Sequence, residues 1–283
     1  MARKDFSTPE YKKKRRIRFI IKCLLMTLLL GAFVYAMNQP YFFINSVQIQ
    51  GQQSIDEEHL HQEVELYLSE YWLGIIPRKN IFFLGQATLR SHLITIYPKI
   101  YHLDIDINID ALTLNIEERK AHSLWCIDRE YESVFNEECY FADQRGFWYA
   151  RAPYFSDNVF LKVYLSPNIE RISLGDRYMH GDAFANLFTF IESLEKEYNL
   201  GVQKIIFKEQ QDISLYISHL ENIVFKEKPI ILLNMNDSYD TSIRNIGVVL
   251  KQPGFARDFQ EDAQQLKRID IRFNDRIFYL FED

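Results

Sequence analysis

The pattern of apolar and polar positions changes along the chain, and its first distinct segment is a long apolar run. The run is FIIKCLLMTLLLGAFVYAM, residues 19–37, with a single charge at Lys22. A helix of this length rises roughly 28 Å, close to the hydrocarbon thickness of a bilayer. Because no polar face interrupts it, we predict a transmembrane helix, rather than a buried soluble one, ended by Pro40. Its length also favours an uncleaved anchor over a signal peptide, although Val34-Tyr35-Ala36 resembles a cleavage site.

The pattern over residues 43–120 predicts a small domain of order β-α-α-β-β. INSVQIQG alternates as a strand does, and SIDEEHLHQEVELYL has apolar residues at helical spacing, with Ser54 and Glu57 as a capping box. QATLRSHLITIY predicts a second helix, ended by Pro98. KIYHLDIDINID and ALTLNIEER alternate tightly and predict two strands. We expect one buried face on the first of them, formed by Ile105, Ile107 and Ile109.

Shorter strand-like segments dominate residues 121–283. They are SLWCID, CYFADQRGFWYA, NVFLKVYLS, VQKIIFKE, DISLYISH and NIVFKEKPIILLN. GDAFANLFTFIESLEKEYNL predicts an amphipathic helix, and SIRNIGVVLKQ and ARDFQEDAQQLKR predict two shorter ones. We therefore predict an α+β protein whose larger domain is a mostly antiparallel sheet with helices on one face.

The chain ends in strand-like sequence, RIDIRF and RIFYLF, around a predicted two-residue turn at Asn274-Asp275. In the first strand, Ile269, Ile271 and Phe273 are expected to face the core, and Asp270 and Arg272 to face water. In the second strand both faces are apolar, with Ile277, Tyr279 and Phe281 on one and Phe278 and Leu280 on the other.

Two interpretations of this last strand remain open. It is either a central strand covered on both faces or a sheet edge. An uncovered apolar edge without Pro or Lys is an aggregation hazard, so an edge needs a cover. A partner strand that pairs with the backbone of Arg276–Phe281 would supply it by β-augmentation.

Charge orients the predicted membrane helix. Residues 1–18 carry eight Lys/Arg against Asp5 and Glu10, although the whole chain has a net charge of −6. A basic cluster before a span stays in the cytoplasm, so we predict residues 1–18 as a cytoplasmic tail and residues 41–283 outside. The tail is then a topology and lipid-surface signal rather than a nucleic-acid arm. The aromatic residues expected at the outer membrane interface are Tyr35, Tyr41, Phe42 and Phe43.

Cysteine usage agrees with an outside location. Cys126 and Cys139 are the only two cysteines after the apolar run, and they lie in two strand-like segments that a hairpin would set opposite each other. In an oxidising compartment we expect a disulfide between them, worth about 3 kcal/mol in the chain-entropy model. The alternative is a pair of reduced, buried thiols.

Catalytic and ligand-binding motifs are absent from the sequence. It has no nucleophile elbow, phosphate loop, dinucleotide fingerprint or zinc-protease motif. DIDINID has the ligand spacing of an EF-hand loop, but Ile109 stands where the turn needs Gly and Asn115 where the loop needs Glu. We therefore expect no metal, no cofactor and no enzymatic activity, and interpret the chain as a binding module.

Four segments carry a resemblance to a known family. They are FFINSVQIQG, LTLNIEERKAHSLW with its Glu118-Arg119 pair, CYFADQRGFWY with its Asp-x-x-Gly turn, and LKRIDIRFNDRIFYLF. In this order after a basic tail and one span, they resemble the FtsQ/DivIB family of bitopic bacterial cell-division proteins, over residues 11–283. Two features depart from the family: Asp110 stands where it often has Pro, and paired cysteines are not general in it.

The resemblance implies a POTRA module over residues 43–120 and a β domain over 121–283. It implies a non-enzymatic divisome scaffold in the cytoplasmic (inner) membrane, which binds other division proteins through the POTRA module and FtsB/DivIC and FtsL through the final hairpin. The positions that match the family's partner site are Arg272, Phe273, Asp275, Arg276 and Phe281. Arg272 is expected to contact an acidic partner residue, with Phe273 and Phe281 as apolar anchors.

Two other classes of protein fit parts of the pattern. A POTRA-containing secretion or envelope-assembly component should carry several POTRA repeats or a barrel, and neither is apparent in the sequence. A membrane-anchored cell-wall hydrolase needs a catalytic constellation that we do not find.

Overall fold

A computed structural model describes residues 9–127, 138–155, 159–165, 172–208, 211–236, 238–273 and 276–282. The chain divides into two compact units, Met1–Glu118 and Arg119–Asp283. Helix α1, Pro9–Met37, contains the apolar run. Within the described residues it is the one helix long and apolar enough to cross a membrane, over Lys12–Met37, and its most apolar stretch of 18 residues has a mean hydropathy of 2.2. Its apolar side chains are exposed along its length, as a lipid-facing helix requires.

The rest of the first unit is a three-stranded sheet with two helices. Its elements are β1 Ser46–Gln50, α2 Glu57–Ser69, β2 Tyr71–Trp72, β3 Ile76–Pro77, α3 Gln86–Ile96, β4 Ile100–Asn108 and β5 Ala111–Glu118. The strand order is β1-β5-β4, with β1 parallel and β4 antiparallel to β5. Strands β2 and β3 form a separate ribbon between the helices, which we did not predict. The core lies between helices and sheet, and its fully buried members include Leu60, Val64, Leu89, Leu93, Leu103, Leu112 and Leu114.

The predicted capping box is wrong. Helix α2 begins at Glu57, and the side chain of Asp56 accepts the N–H of His59 at 2.9 Å as the N-cap. Ser54 instead donates its hydroxyl to the carboxylate of Glu118, which also accepts the N–H groups of residues 53–55. Partial burial acts to raise the pKa of Glu118, but these hydrogen bonds outweigh it and the pKa is lowered.

Ile109 is also not where the alternation predicts it. It lies in the turn between β4 and β5 with φ 53° and is 84% exposed, whereas Ile105 faces the core. The strand has already ended at Asn108, so the period of two no longer applies.

The second unit is built on a ten-stranded sheet. Its elements are β6 Ser123–Ile127, β7 Cys139–Ala142, β8 Trp148–Arg151, β9 Leu161–Leu165, α4 Gly181–Tyr198, β10 Leu200–Phe207, β11 Asp212–Leu220, β12 Ile223–Val224, β13 Ile230–Asn234, α5 Tyr239–Leu250, α6 Pro253–Asp262, β14 Leu266–Phe273 and β15 Arg276–Phe281. The strand order is β15-β14-β13-β11-β10-β9-β6-β7-β8, with β12 beside β11. Most neighbours are antiparallel. The parallel pairs are β6–β9, β9–β10 and β13–β14.

One large apolar core joins the three helices to one face of this sheet. Phe184, Ile246 and Phe255 from α4, α5 and α6 belong to the same buried cluster as Trp125 and Phe207 from the strands. The structure thus confirms a mixed protein with one N-terminal apolar helix and a large, mostly sheet domain.

A smaller cluster, with Leu124 and Tyr164 among its members, surrounds the two cysteines. Cys126 and Cys139 stand directly opposite each other on β6 and β7 and form a disulfide.

Asp143 organises the predicted Asp-x-x-Gly turn between β7 and β8. Its carboxylate accepts the N–H groups of Arg145 at 2.8 Å and Phe147 at 3.1 Å, and it pairs with the guanidinium of Arg119. Gly146 has φ +69°, and a Cβ there would lie 2.9 Å from the ring of Phe184. The turn therefore requires glycine for both its backbone conformation and its packing.

Candidate partner-binding edge

Strand β15 is the last strand of the large sheet. It pairs antiparallel with β14, and no other strand in the described part of the chain pairs with its far side. Of the two interpretations left open by the sequence, the structure supports the edge and not the covered central strand. A row of backbone donors and acceptors therefore lies open along Arg276–Phe281.

The direction of one hydrogen bond identifies the backbone groups that face the open side. The N–H of Glu282 donates to the carbonyl of Gln265 at 2.9 Å, so it points toward the β14 side. Successive N–H groups of an extended strand point to opposite edges. The N–H groups of Ile277, Tyr279 and Phe281 therefore point away from β14, toward the side on which no described strand pairs with β15.

The inner face of β15 is structural. Ile277, Tyr279 and Phe281 are partly buried and pack against the helix-side core. The ring of Phe255, from α6, lies 5.3 Å from that of Tyr279 and 5.5 Å from that of Phe281. Phe281, expected to be an anchor for a partner, is thus partly engaged within the domain.

The outer face of the hairpin carries an apolar patch, which we call the edge patch: Phe273, Phe278 and Leu280. Each of the three side chains is about half exposed. The rings of Phe273 and Phe278 meet edge to face with their centroids 5.6 Å apart. Half-exposed aromatic and aliphatic groups beside an open strand are suited to anchor an incoming strand.

Phe273 reaches this patch because β14 contains a bulge, which corrects its predicted place in the core. Asp270 lies opposite Phe278, but Phe273 lies opposite Arg276, so β14 has one extra residue in between. An extra residue shifts the alternation of faces. Phe273 is consequently exposed, whereas Ile271 stays buried.

Arg272 and Asp270 are paired inside the domain, and Asp270 is buried rather than facing water as predicted. The guanidinium of Arg272 donates to Asp270 at 2.9 Å and 2.6 Å, and to Asp212 at 2.5 Å. Burial acts to raise the pKa of Asp270, but the hydrogen bonds and charge of Arg272 outweigh it and lower the pKa. The guanidinium of Arg272 therefore binds two carboxylates within the domain. The family resemblance implied a contact with an acidic residue of a partner instead.

Lys267 forms ion pairs at the end of the hairpin that lies opposite its turn. Its ammonium group lies 2.6 Å from the carboxylates of both Glu227 and Glu282. Hydrogen bonds from the ammonium to Glu227 and to Glu282 raise the pKa of Lys267 to about 12. Of the two remaining predicted residues, Arg276 is exposed, whereas Asp275 and the turn predicted at Asn274-Asp275 lie outside the described residues.

Among the described residues, no group of three or more His, Cys, Asp or Glu side chains is placed to hold a metal ion. The chain matches no family model, and no curated protein matches it either.

Proposed function

We propose that the chain is a membrane-anchored, non-enzymatic scaffold of the bacterial division machinery, of the FtsQ/DivIB type. In this proposal residues 43–120 are the POTRA module and residues 121–283 the β domain. The β-α-α-β-β order of the first unit supports it, as does the large sheet that ends in a hairpin. The open edge of β15 is the observation that carries the proposal.

The proposed topology places residues 1–18 in the cytoplasm and both domains outside the cytoplasmic membrane. The basic residues between Lys12 and Arg18 and the exposed apolar surface of α1 support this orientation. The disulfide between Cys126 and Cys139 also supports it, because disulfides persist in oxidising compartments.

The proposed partner is a division protein of the FtsB/DivIC type, together with FtsL. One of its strands pairs with β15 through the open N–H groups of Ile277, Tyr279 and Phe281. Its apolar side chains cover the edge patch, and this contact removes half-exposed aromatic surface from water. In this proposal Arg272 stabilises the hairpin through its contacts with Asp270 and Asp212 and does not contact the partner. The POTRA module contacts other division proteins.

Substitution of Phe278 by Asp tests the proposal. Phe278 is 51% exposed on the edge patch, and Val248 on α5 is 54% exposed on the helix side, so Val248→Asp is a matched control. Both changes put a charge on a half-exposed apolar position and should leave folding intact. We expect Phe278→Asp to weaken binding of the co-expressed FtsB/DivIC-type partner by roughly tenfold or more, the effect of losing an anchor residue. Equal affinities for the two variants would contradict the proposal.

A further inference from the structure

A second exposed apolar surface lies in the first unit, far along the sequence from β15. It consists of the β2–β3 ribbon and two aromatic residues beside it. We call it the ribbon surface: Tyr41, Tyr71, Trp72, Leu73, Ile75 and Phe82, all exposed. Tyr41 is 94% and Leu73 73% exposed, which is high for side chains of this size. A soluble domain rarely exposes so many large apolar side chains in one region unless something covers them.

The ribbon surface is tied directly to the end of α1. The side chain of Asn80, itself fully buried, donates to the carbonyl of Met37 at 2.7 Å. The side chain of Asn38 donates to the carbonyl of Ile75, at the tip of the ribbon, at 3.3 Å. The rings of Phe42 and Phe82 lie 5.7 Å apart, and Phe42 accepts the N–H of Ile81 at 2.9 Å. The surface is therefore continuous with the point where the membrane-compatible helix ends.

Leu73, at the tip of the ribbon, is exposed and has an unfavourable left-handed backbone conformation. Leu73 has φ 49° and Gly74 has φ 70°, and the N–H of Ile75 closes the turn on the carbonyl of Trp72 at 3.1 Å. A left-handed backbone costs a leucine free energy that a glycine avoids. The tip places Leu73 and Ile75 outward, where the unit offers them little cover.

The composition of the ribbon surface fits one kind of environment. Trp and Tyr collect at the membrane–water interface, where an apolar ring and a polar group are both accommodated. Behind the ribbon, Arg78 lies 3.1 Å from the carboxylate of Glu70, so this acidic side chain is paired with a cation. Lys79 stacks over the ring of Phe43 at 4.4 Å and adds a positive charge that suits anionic headgroups.

We propose that the ribbon surface inserts into the headgroup–acyl boundary of the same bilayer that α1 crosses. The occupant of this surface is lipid, and insertion of Trp72, Leu73 and Ile75 holds the first unit against the membrane at a second point besides the helix. The inference depends on α1 spanning a bilayer and is independent of the proposed division function. An experiment that contradicts the membrane inference therefore leaves the proposed division function untouched, and the reverse also holds.

Trp72 provides a direct probe. The chain has three tryptophans, and the other two, Trp125 and Trp148, are buried in the second unit. The full chain is reconstituted into phosphatidylcholine–phosphatidylglycerol vesicles with brominated acyl chains in both leaflets, and its emission is compared with that in unbrominated vesicles. We expect bromine to quench Trp72, and Trp72→Phe to abolish this quenching. Aqueous acrylamide should quench the wild type little beyond the level seen in Trp72→Phe.

The double variant Leu73→Asp/Ile75→Asp provides the second arm. Both side chains are exposed, so the circular dichroism spectrum should match the wild type, whereas quenching by bromine should fall and quenching by acrylamide should rise. Retention of full bromine quenching by this variant would overturn insertion through the tip. A wild-type Trp72 that acrylamide quenches and bromine does not would show that the ribbon surface faces water and would overturn the membrane proposal.

Discussion

Arg272 determines the local geometry of the terminal hairpin. It connects Asp270 on its own strand with Asp212 on β11, which is two strands away in the sheet order. A planar guanidinium that donates to two carboxylates fixes direction as well as distance. The alternation of residues in β14 predicts that Asp270 and Arg272 face solvent. It cannot show that Asp212, 60 residues earlier in the chain, lies within hydrogen-bond distance of Arg272.

Loss of this pair should destabilise the second unit. Arg272→Ala leaves the buried carboxylate of Asp270 without its cation, which should cost about 3 kcal/mol of unfolding free energy. Because the pKa of Asp270 is lowered from its ordinary 3.8, the stabilisation is present above that value and is lost as the pH falls below it. Urea unfolding at neutral and acidic pH measures this. The two proteins should converge in stability at low pH, and a constant difference would contradict the account.

At the scale of elements, the sequence predicts helices and strands correctly where the apolar residues have a strong period. It does not predict very short strands or a strand that contains a bulge. The tight alternation of β4 and the helical spacing of apolar residues in α2 predicted the correct element types. The β2–β3 ribbon has two residues per strand, too few to show any period. The bulge in β14 depends on pairing with β15, so its effect on Phe273 cannot be inferred from the spacing of one strand.

The open edge of β15 gives a prediction for proline. Tyr279→Pro removes an N–H that points away from β14, which an edge strand tolerates, so the domain should fold while partner binding is lost. Tyr279→Ala is the control, since it removes the same ring and keeps the N–H. Leu280→Pro removes an N–H on the β14 side and should disrupt the hairpin itself. Equal partner affinity of Tyr279→Pro and Tyr279→Ala would show that this N–H takes no part in docking.

At the scale of the whole molecule, the sequence correctly predicted a mixed protein with one N-terminal apolar helix and a large, mostly sheet domain. An apolar helix, a small mixed unit and a larger sheet unit follow each other in the expected order, and the observed division after Glu118 lies close to the predicted one after residue 120. The parallel pairs in the large sheet escaped prediction, because the order of strands in a sheet depends on contacts remote in sequence.

The proposed topology makes a prediction for the entire chain. A phosphatase that folds only in an oxidising compartment, fused to the C-terminus, should be active in cells. Replacement of the basic residues between Lys12 and Arg18 by Gln should reduce that activity, because the positive charge retains the tail inside. Exchange of Arg15, Arg16 and Arg18 for Lys keeps the positive charge and should leave the activity unchanged. Activity only for a cytoplasmic reporter would reverse the assigned orientation.

The most direct test of the central claim is amide hydrogen exchange along β15, with and without the FtsB/DivIC-type partner. In the free chain the N–H groups of Ile277, Tyr279 and Phe281 point away from β14 and should exchange fast, while that of Glu282 is bonded to Gln265. We expect the complex to protect the first three selectively. A stable complex in which Ile277, Tyr279 and Phe281 exchange as fast as in the free chain would contradict strand pairing at this edge.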